Sequence, residues 1–354
     1  MRVAFFPPPK RTDPSGFLAL LARAVEEAGV EVVSTGPLGL RFSLTETGLD
    51  AVHLHWLEYV ATADRRRLIG WARSWMKVTR LLVALAVLRA RGVGVVWTIH
   101  NLAPHEPVRP RAEAAVAQGV WSLADEIIVH SQYAATRVVQ RFHGAPRRPL
   151  NVIPHANYDG AFLADGRSRE TVREQLGIPP GAFVYLAFGI IRRYKQLGLL
   201  AERFAELEGE ELRLLVAGAP SQPDEAERVR RQAARDPRIL LRAQYIPDNE
   251  VWALHHAADA AVIAYRDVFS SGALLLALTH GLPVVMPAGG TGQEFFAPPE
   301  VEFFEGFDVG PALARVRCGE RSAAARAAAE RFPWAAAGAA TVEVYRRCAA
   351  ARRR

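Results

Sequence analysis

The sequence predicts an α/β protein built as two doubly wound domains that face each other across a cleft. Three observations carry this. Short, β-branched apolar runs alternate with amphipathic helical stretches, the pattern of parallel strands covered on both faces. The pattern breaks between Pro154 and Ser168, where Asn, Asp and Gly cluster, and then restarts. The length of 354 residues, half of them hydrophobic and 23% charged, suits two soluble domains of ordinary size.

Element by element, Arg2 to Phe6 reads as a buried strand followed by a Pro-rich loop. Phe17 to Ala28 is an amphipathic helix with Leu20, Leu21, Ala24 and Val25 on one stripe and Gly29 as its stop. Val30 to Val33 and Ala51 to His55 are strands, and Arg66 to Arg91 is a long helix ended by Gly92. Val93 to Ile99, Glu126 to Val129 and Asn151 to Ile153 are strands, with helices over Arg111 to Leu123 and Gln132 to Phe142. In the second half, strands are expected at Phe183 to Phe188, Leu212 to Ala217, Ile239 to Leu241, Ala260 to Ile263 and Pro283 to Met286. Helices are expected at Asp165 to Leu176, Leu197 to Leu207, Asp224 to Arg235, Asn249 to Ala257 and Gly272 to Thr279. Two charged helical segments close the chain.

Several classes are disfavoured. No stretch of about 20 residues is free of charge, so no spanning helix is expected. The opening MRVAFFPPPK has too short an apolar run to read as a signal peptide. Cys318 and Cys348 make neither a disulfide framework nor a zinc spacing, and suit a reducing cytoplasm. The net charge of +7 suits an anionic partner. Nucleic acid is not expected, because no recognition motif is present. Neither a G-x-x-x-x-G-K-[ST] loop nor a G-x-G-x-x-G turn occurs.

Ligands of open parallel sheets bind beyond the C-terminal strand ends. Four strands of the first half end in histidine: His53 and His55, His100 with His105 just behind, His130, and His155. That repetition points to a polar site. Metal is not the expected occupant, since no pair has H-x-x-x-H spacing and carboxylates are sparse. In the second half, the strand ending at Phe188 runs into Gly189, and Arg192, Arg193 and Lys195 follow before a helix. A glycine that admits a ligand to the backbone, followed by cations at a helix start, is a phosphate site in physical terms. Ser270-Ser271-Gly272 opens another helix after another strand. Two such mouths on one sheet favour a nucleotide diphosphate.

These residues resemble the GT-B-fold nucleotide-sugar glycosyltransferases of the "glycosyl transferases group 1" kind, bacterial exopolysaccharide and mannosyltransferase members especially. The matching pieces are Ala51–Trp56, Trp97–Glu106, Ile127–Ser131, Val152–His155, Phe188-Gly189 through Lys195, Ser270–Gly272 through Gly281–Val285, and Phe332-Pro333-Trp334. The resemblance implies two Rossmann-like domains: an acceptor-binding one over 1–160 and a nucleotide-sugar-binding one over 161–332. A C-terminal helix over 333–354 is expected to pack back on the first. It implies transfer of a hexosyl unit from a GDP- or UDP-linked sugar to a glycan or polyprenyl-diphosphate-linked acceptor in surface polysaccharide assembly. No metal or other cofactor is called for. On this reading His100 is the catalytic candidate. Gly189, Arg192, Lys195, Tyr245, Tyr265, Ser270, Ser271, Gly272 and Glu294 bind the donor, and Ser15, Gly16, His55 and His105 the acceptor. Two departures stand out. The group's arginine five residues before its lysine is Ile190, and its Glu-x7-Glu pair is Val268 and Leu276. The missing carboxylates keep an inactive nucleotide- or glycan-binding module open as an alternative, and a sugar-nucleotide epimerase is a second alternative within the same fold. Basic residues from Arg65 to Arg91, with Trp71, Trp75 and Met76 among them, suggest a cytoplasmic protein held at the anionic inner face of the plasma membrane.

Overall fold

The structure is a computed structural model and describes residues 1–10, 15–36, 38–61, 67–104, 106–142, 146, 150–266 and 268–353. Two units result: Met1–His155 together with Trp334–Arg354, and Ala156–Pro333.

Unit 1 holds a parallel six-stranded sheet in the order β2-β1-β3-β4-β5-β6. Its strands are β1 (Arg2–Phe6), β2 (Glu31–Ser34), β3 (Ala51–Leu54), β4 (Gly94–Thr98), β5 (Glu126–Val129) and β6 (Asn151–Val152). The three central strands β3, β4 and β5 are buried along their length, as β-branched runs with no polar alternation require. The helices are α1 (Phe17–Glu27), α2 (Leu40–Thr45), α3 (Glu58–Ala61), α4 (Arg67–Ala90), α5 (Pro110–Leu123) and α6 (Gln132–Arg141). Helix α1 buries Leu20, Leu21, Ala24 and Val25, the stripe that the periodicity marked.

Unit 2 has its own parallel sheet, in the order β12-β11-β10-β7-β8-β9. The strands are β7 (Phe183–Phe188), β8 (Leu212–Ala217), β9 (Ile239–Arg242), β10 (Ala260–Val262), β11 (Val284–Pro287) and β12 (Val301–Phe304). Its helices are α7 (Arg169–Gln175), α8 (Leu197–Ala205), α9 (Pro223–Ala233), α10 (Asp248–Ala257), α11 (Gly272–Thr279), α12 (Gly290–Phe295), α13 (Gly310–Val316) and α14 (Ser322–Glu330). One apolar core lies on each face of this sheet.

Helix α15 (Trp334–Arg353) belongs to unit 1, where it packs on α1, β3 and β4. Tyr345 is fully buried there, and Cys348 packs on Gly94, where a Cβ would collide with its sulfur.

The α/β class and the doubly wound order agree with the sequence reading. Differences gather after residue 286. The chain closes with three helices, α13 to α15, rather than two. Strand β12 is an additional edge strand. Its Glu302 interrupts the apolar run, yet is buried because Arg315 and Arg321 pair with it at 2.8 and 2.7 Å. The glycine-rich stretch after β11 folds into α12, which Gly289 and Gly290 enter at φ of +85° and +73°. Among the described residues no helix is long and apolar enough to cross a membrane.

Candidate active site

In unit 2 the site begins at Gly189, directly after β7. Its φ of +109° lies in the left-handed region, and a Cβ there would stand 2.7 Å from the Lys195 Nζ. Glycine therefore lets the lysine head lie against the backbone. A Cβ at Gly218, after β8, would collide with the Gly189 carbonyl, so the two strand-end turns touch. The chain then makes a short 3₁₀ turn over Arg193–Lys195, and Gln196 turns it into α8 at φ 52°.

Lys195 is buried, and its Nζ lies 5.1 Å from the centre of the Tyr265 ring. It makes no ion pair with any described residue. Burial lowers its pKa; Tyr194 opposes that shift and Arg192 adds to it. A buried ammonium without a counter-charge is costly, and an anion beside it would remove that cost. The neighbouring arginines divide. Arg193 is committed, its Nε 2.6 Å from Asp224 and its backbone N–H donating to Gln222. The Arg192 Nε is buried and finds no partner among the described residues. Ile190, at the position of the group's arginine, is 45% exposed.

The second mouth adjoins the first. The Arg266 N–H donates to the Tyr194 carbonyl at 3.1 Å, and the Tyr194 and Tyr265 rings lie 5.4 Å apart. Ser271 caps α11, its Oγ accepting from the Leu274 N–H at 3.2 Å. That hydroxyl thus completes the helix. The first-turn amides of Gly272 and Ala273 have no intrahelical acceptor. Ser270 is half-buried beside them. Asp267 lies outside the described residues. Tyr245, between β9 and α10, is 72% exposed, and Glu294 is exposed on α12; no described contact joins either to Lys195. Val268 and Leu276 are both buried in the core that includes Met286 and Phe296. The positions of the absent Glu pair are therefore packing positions here.

In unit 1 the parallel strands deliver their terminal histidines to one edge. His53 is held between the Tyr345 hydroxyl (2.6 Å) and the Thr98 hydroxyl (2.7 Å). His55 Nδ1 meets His100 Nε2 at 2.9 Å, His100 Nδ1 meets His130 Nε2 at 3.2 Å, and His130 Nδ1 donates to the Ile153 carbonyl at 2.9 Å. Burial pushes the pKa of His53 down to about 3 and those of His55 and His100 well below the usual range; neighbouring imidazoles add to each shift. His130 is lowered too, with the Ile153 carbonyl working against burial. Trp56 stacks on His100 at 4.2 Å, from a backbone φ of +36° that is rare for tryptophan. Phe17 touches the rings of His55, His100, His130 and His155.

Ser15 is buried and Gly16 precedes α1, whose first turn bonds back to the Gly16 carbonyl. Gly16, Phe17, Trp56, Tyr59 and Lys10 line a cavity of about 380 Å³. His105 lies outside the described residues. Among the described residues, no three His, Cys, Asp or Glu side chains are placed to hold a metal ion. Sequence reasoning missed Phe17, Tyr59 and Lys10. Only the composition of the β1–α1 and β3–α3 loops, rich in Pro and aromatics, signalled them.

Residues 182–302 match the family model described as Glycosyl transferases group 1. Sucrose-phosphate synthase from Thermosynechococcus elongatus aligns with 99% of this chain and 100% of its own, at a TM-score of 0.70 and 16% identity. HepE from Anabaena in complex with UDP-glucose aligns with 98% of this chain and 100% of its own, at a TM-score of 0.72 and 16% identity. Residues 182–302 are a glycosyl transferases group 1 domain, and the chain has the GT-B fold. That agrees with the resemblance drawn from the motifs. Among sequence relatives, the GDP-mannose:glycolipid 4-beta-D-mannosyltransferase of Xanthomonas campestris pv. campestris is 30% identical over 251 residues, 70% of this chain. This chain spans 64% of that relative's length. The D-inositol 3-phosphate glycosyltransferase of Geodermatophilus obscurus is 28% identical over 253 residues, 68% of this chain and 52% of the relative.

Proposed function

We propose that the protein is a glycosyltransferase that moves a hexosyl unit from a nucleotide-diphosphate sugar, without a resident metal, to a glycan or glycolipid acceptor. The observation that carries this is Lys195: buried, without an ion-pair partner among the described residues, and held over Gly189 against Tyr265. A departing diphosphate gains negative charge, and fixed cations and amides at that point lower the barrier. Lys195, Arg192 and the first-turn amides of α11 suit the task. The donor is bound on unit 2 and the acceptor on unit 1, near Gly16, His55 and His100. The relative named as a GDP-mannose:glycolipid mannosyltransferase makes GDP-mannose the first donor to test and a glycolipid the first acceptor class. UDP-glucose is the second donor, after the HepE complex. Surface polysaccharide assembly at the cytoplasmic membrane face is the setting that fits such an acceptor. On α4, Trp71 and Met76 are exposed beside Arg73 and Lys77, a composition suited to anionic lipid.

The test is a thermal-shift panel of sugar nucleotides, followed by product analysis with the best donor. Stabilisation by one nucleotide class and acceptor-dependent release of its diphosphate is the expected result. No stabilisation by any member would overturn the reading. Stabilisation without sugar release would instead favour a binding module, the alternative that apolar Val268 and Leu276 support.

A further inference from the structure

We propose that the cavity between the β1–α1 and β3–α3 loops is a subsite for a negatively charged sugar of the acceptor, a ring bearing a carboxylate or phosphate that stacks on Trp56 and Tyr59 and sets its charge against Lys10; this rests on the transferase reading above. The aromatic floor comes first. Trp56 holds a left-handed φ of +36°, a costly conformation that persists only where the surroundings over-determine it. Those surroundings are visible. The indole lies nearly parallel on the His100 ring, 15° from it at 4.2 Å, and meets Phe17 at 5.9 Å. Tyr59 follows three residues on, its N–H donating to the Trp56 carbonyl at 3.3 Å. That turn sets both rings on one side, and both line the cavity. Tyr59 is 66% exposed, an unusual position for a large ring with no ligand to cover it.

The rest of the lining selects the occupant. The volume of about 380 Å³ lies within the range of small-molecule sites. Pro7 and Pro8, whose rings fix their backbone, make one stiff wall. Among the described residues that line the cavity, Lys10 alone is charged, and no described residue forms an ion pair with it. An aromatic face is the negative side of its ring, and it suits the weakly positive C–H face of a sugar. Lys10 then favours a sugar that carries negative charge. A hydrocarbon chain fits less well. Phe17 and Leu18 begin α1, and the N–H groups of that first turn have neither an intrahelical acceptor nor a side-chain cap. Hydrocarbon would strip those amides of water and offer nothing in return, whereas sugar hydroxyls accept from them.

The full chain, labelled with fluorotryptophan, tests this by 19F resonance without any donor. The Trp56 signal, identified by its loss in Trp56→Gly, reports this cavity and not the Lys195 loop. Glycine takes a φ of +36° freely, so that variant keeps the turn. Methyl glucuronide and glucose 1-phosphate are titrated against methyl glucoside, the neutral counterpart. At least one charged sugar should shift the Trp56 signal at a concentration about 10-fold or more below that of methyl glucoside. A shift from the carboxylate alone assigns a uronic acid, and one from the phosphate alone a sugar phosphate. Lys10→Gln should erase the preference, and Tyr59→Ala should weaken all three sugars; both side chains are exposed, so neither change opens the core. No shift with any of the three, equal midpoints for charged and neutral sugars, or a preference that survives Lys10→Gln overturns the proposal. In the transfer assay, acceptors ending in a charged sugar should have a KM about 10-fold or more below that of neutral ones, and Lys10→Gln should close the gap. Equal use of neutral acceptors overturns this inference alone. Binding of charged sugars by a protein that transfers none overturns the transferase reading and leaves the subsite in place.

Discussion

Acid should unfold unit 1 well before carboxylate pairs are lost. The perturbation is a fall in pH from about 7 to about 5, and the responders are buried rings. His53 titrates at about 3 in the folded protein because burial and His130 disfavour its charge, whereas an exposed histidine titrates near 6.5. Above the higher value neither state holds the proton, so pH has no effect. Between the two values the unfolded chain binds it and the folded chain does not, so stability falls as pH falls. Below the lower value the loss is constant, and for His53 it reaches about 5 kcal/mol. At pH 5 the His53 ring costs about 2 kcal/mol. His55 and His100 share unit 1 with His53 and are shifted in the same direction by burial, so their losses add to the same acid-side fall in stability. Denaturant titration at several pH values reads the effect. Tryptophan fluorescence reports unit 1, since Trp252 is the one tryptophan outside it. His53→Gln should flatten the slope by about 1.4 kcal/mol per pH unit. A change below about 1 kcal/mol between pH 7 and 5 would show that these rings are hydrated or already charged.

Further outcomes follow from the same geometry. Lys195→Ala and Arg192→Ala should each weaken nucleotide diphosphate binding by about 1.5–3 kcal/mol in calorimetry, and unchanged affinity in both would remove this loop from the donor site. With the Lys195 pKa lowered by burial, wild-type affinity should fade on the alkaline side sooner than for an ordinary lysine, and Lys195→Ala should abolish that fade. Leu276→Glu should not restore a sugar contact but should cost several kcal/mol in thermal unfolding, about 3 or more, because it buries an unpaired carboxylate. Liposome co-sedimentation should need anionic lipid, fade with salt, and fall when Trp71, Arg73 and Lys77 are replaced together; equal recovery on neutral vesicles would refute the membrane role.

How much of this was legible depended on how local each signal is. The phosphate-type loop was readable because glycine, then cations, then a helix follow a strand within one short window. Which arginine stays uncommitted was not, because Asp224, the partner of Arg193, lies on α9. The histidines could be placed at one sheet edge, since parallel strands share an edge. Their order in series could not, because it follows from β3, β4 and β5 being neighbours in the sheet. Phe17 read as an unremarkable helix start, and its contacts come from four different strand ends. Strand β12 was hidden because Glu302 breaks its apolar run and is matched only by Arg315 and Arg321, thirteen or more residues later. The left-handed turn at Trp56 has no sequence signature.

The return of α15 to unit 1 sets an order on biosynthesis. A ribosome releases unit 2 as one continuous stretch, whereas unit 1 waits for its last helix. Until then His53 lacks the Tyr345 hydroxyl, Gly94 lacks Cys348, and Asp125 lacks the Arg352 guanidinium that sits 3.1 Å from it. The usual vectorial rule, in which the N-terminal domain matures first, is thus reversed here. The nascent β-sheet of unit 1 emerges early and stays partly uncovered throughout translation of unit 2. Holdase binding during synthesis should therefore concentrate on the first half of the chain and end only when α15 clears the exit tunnel.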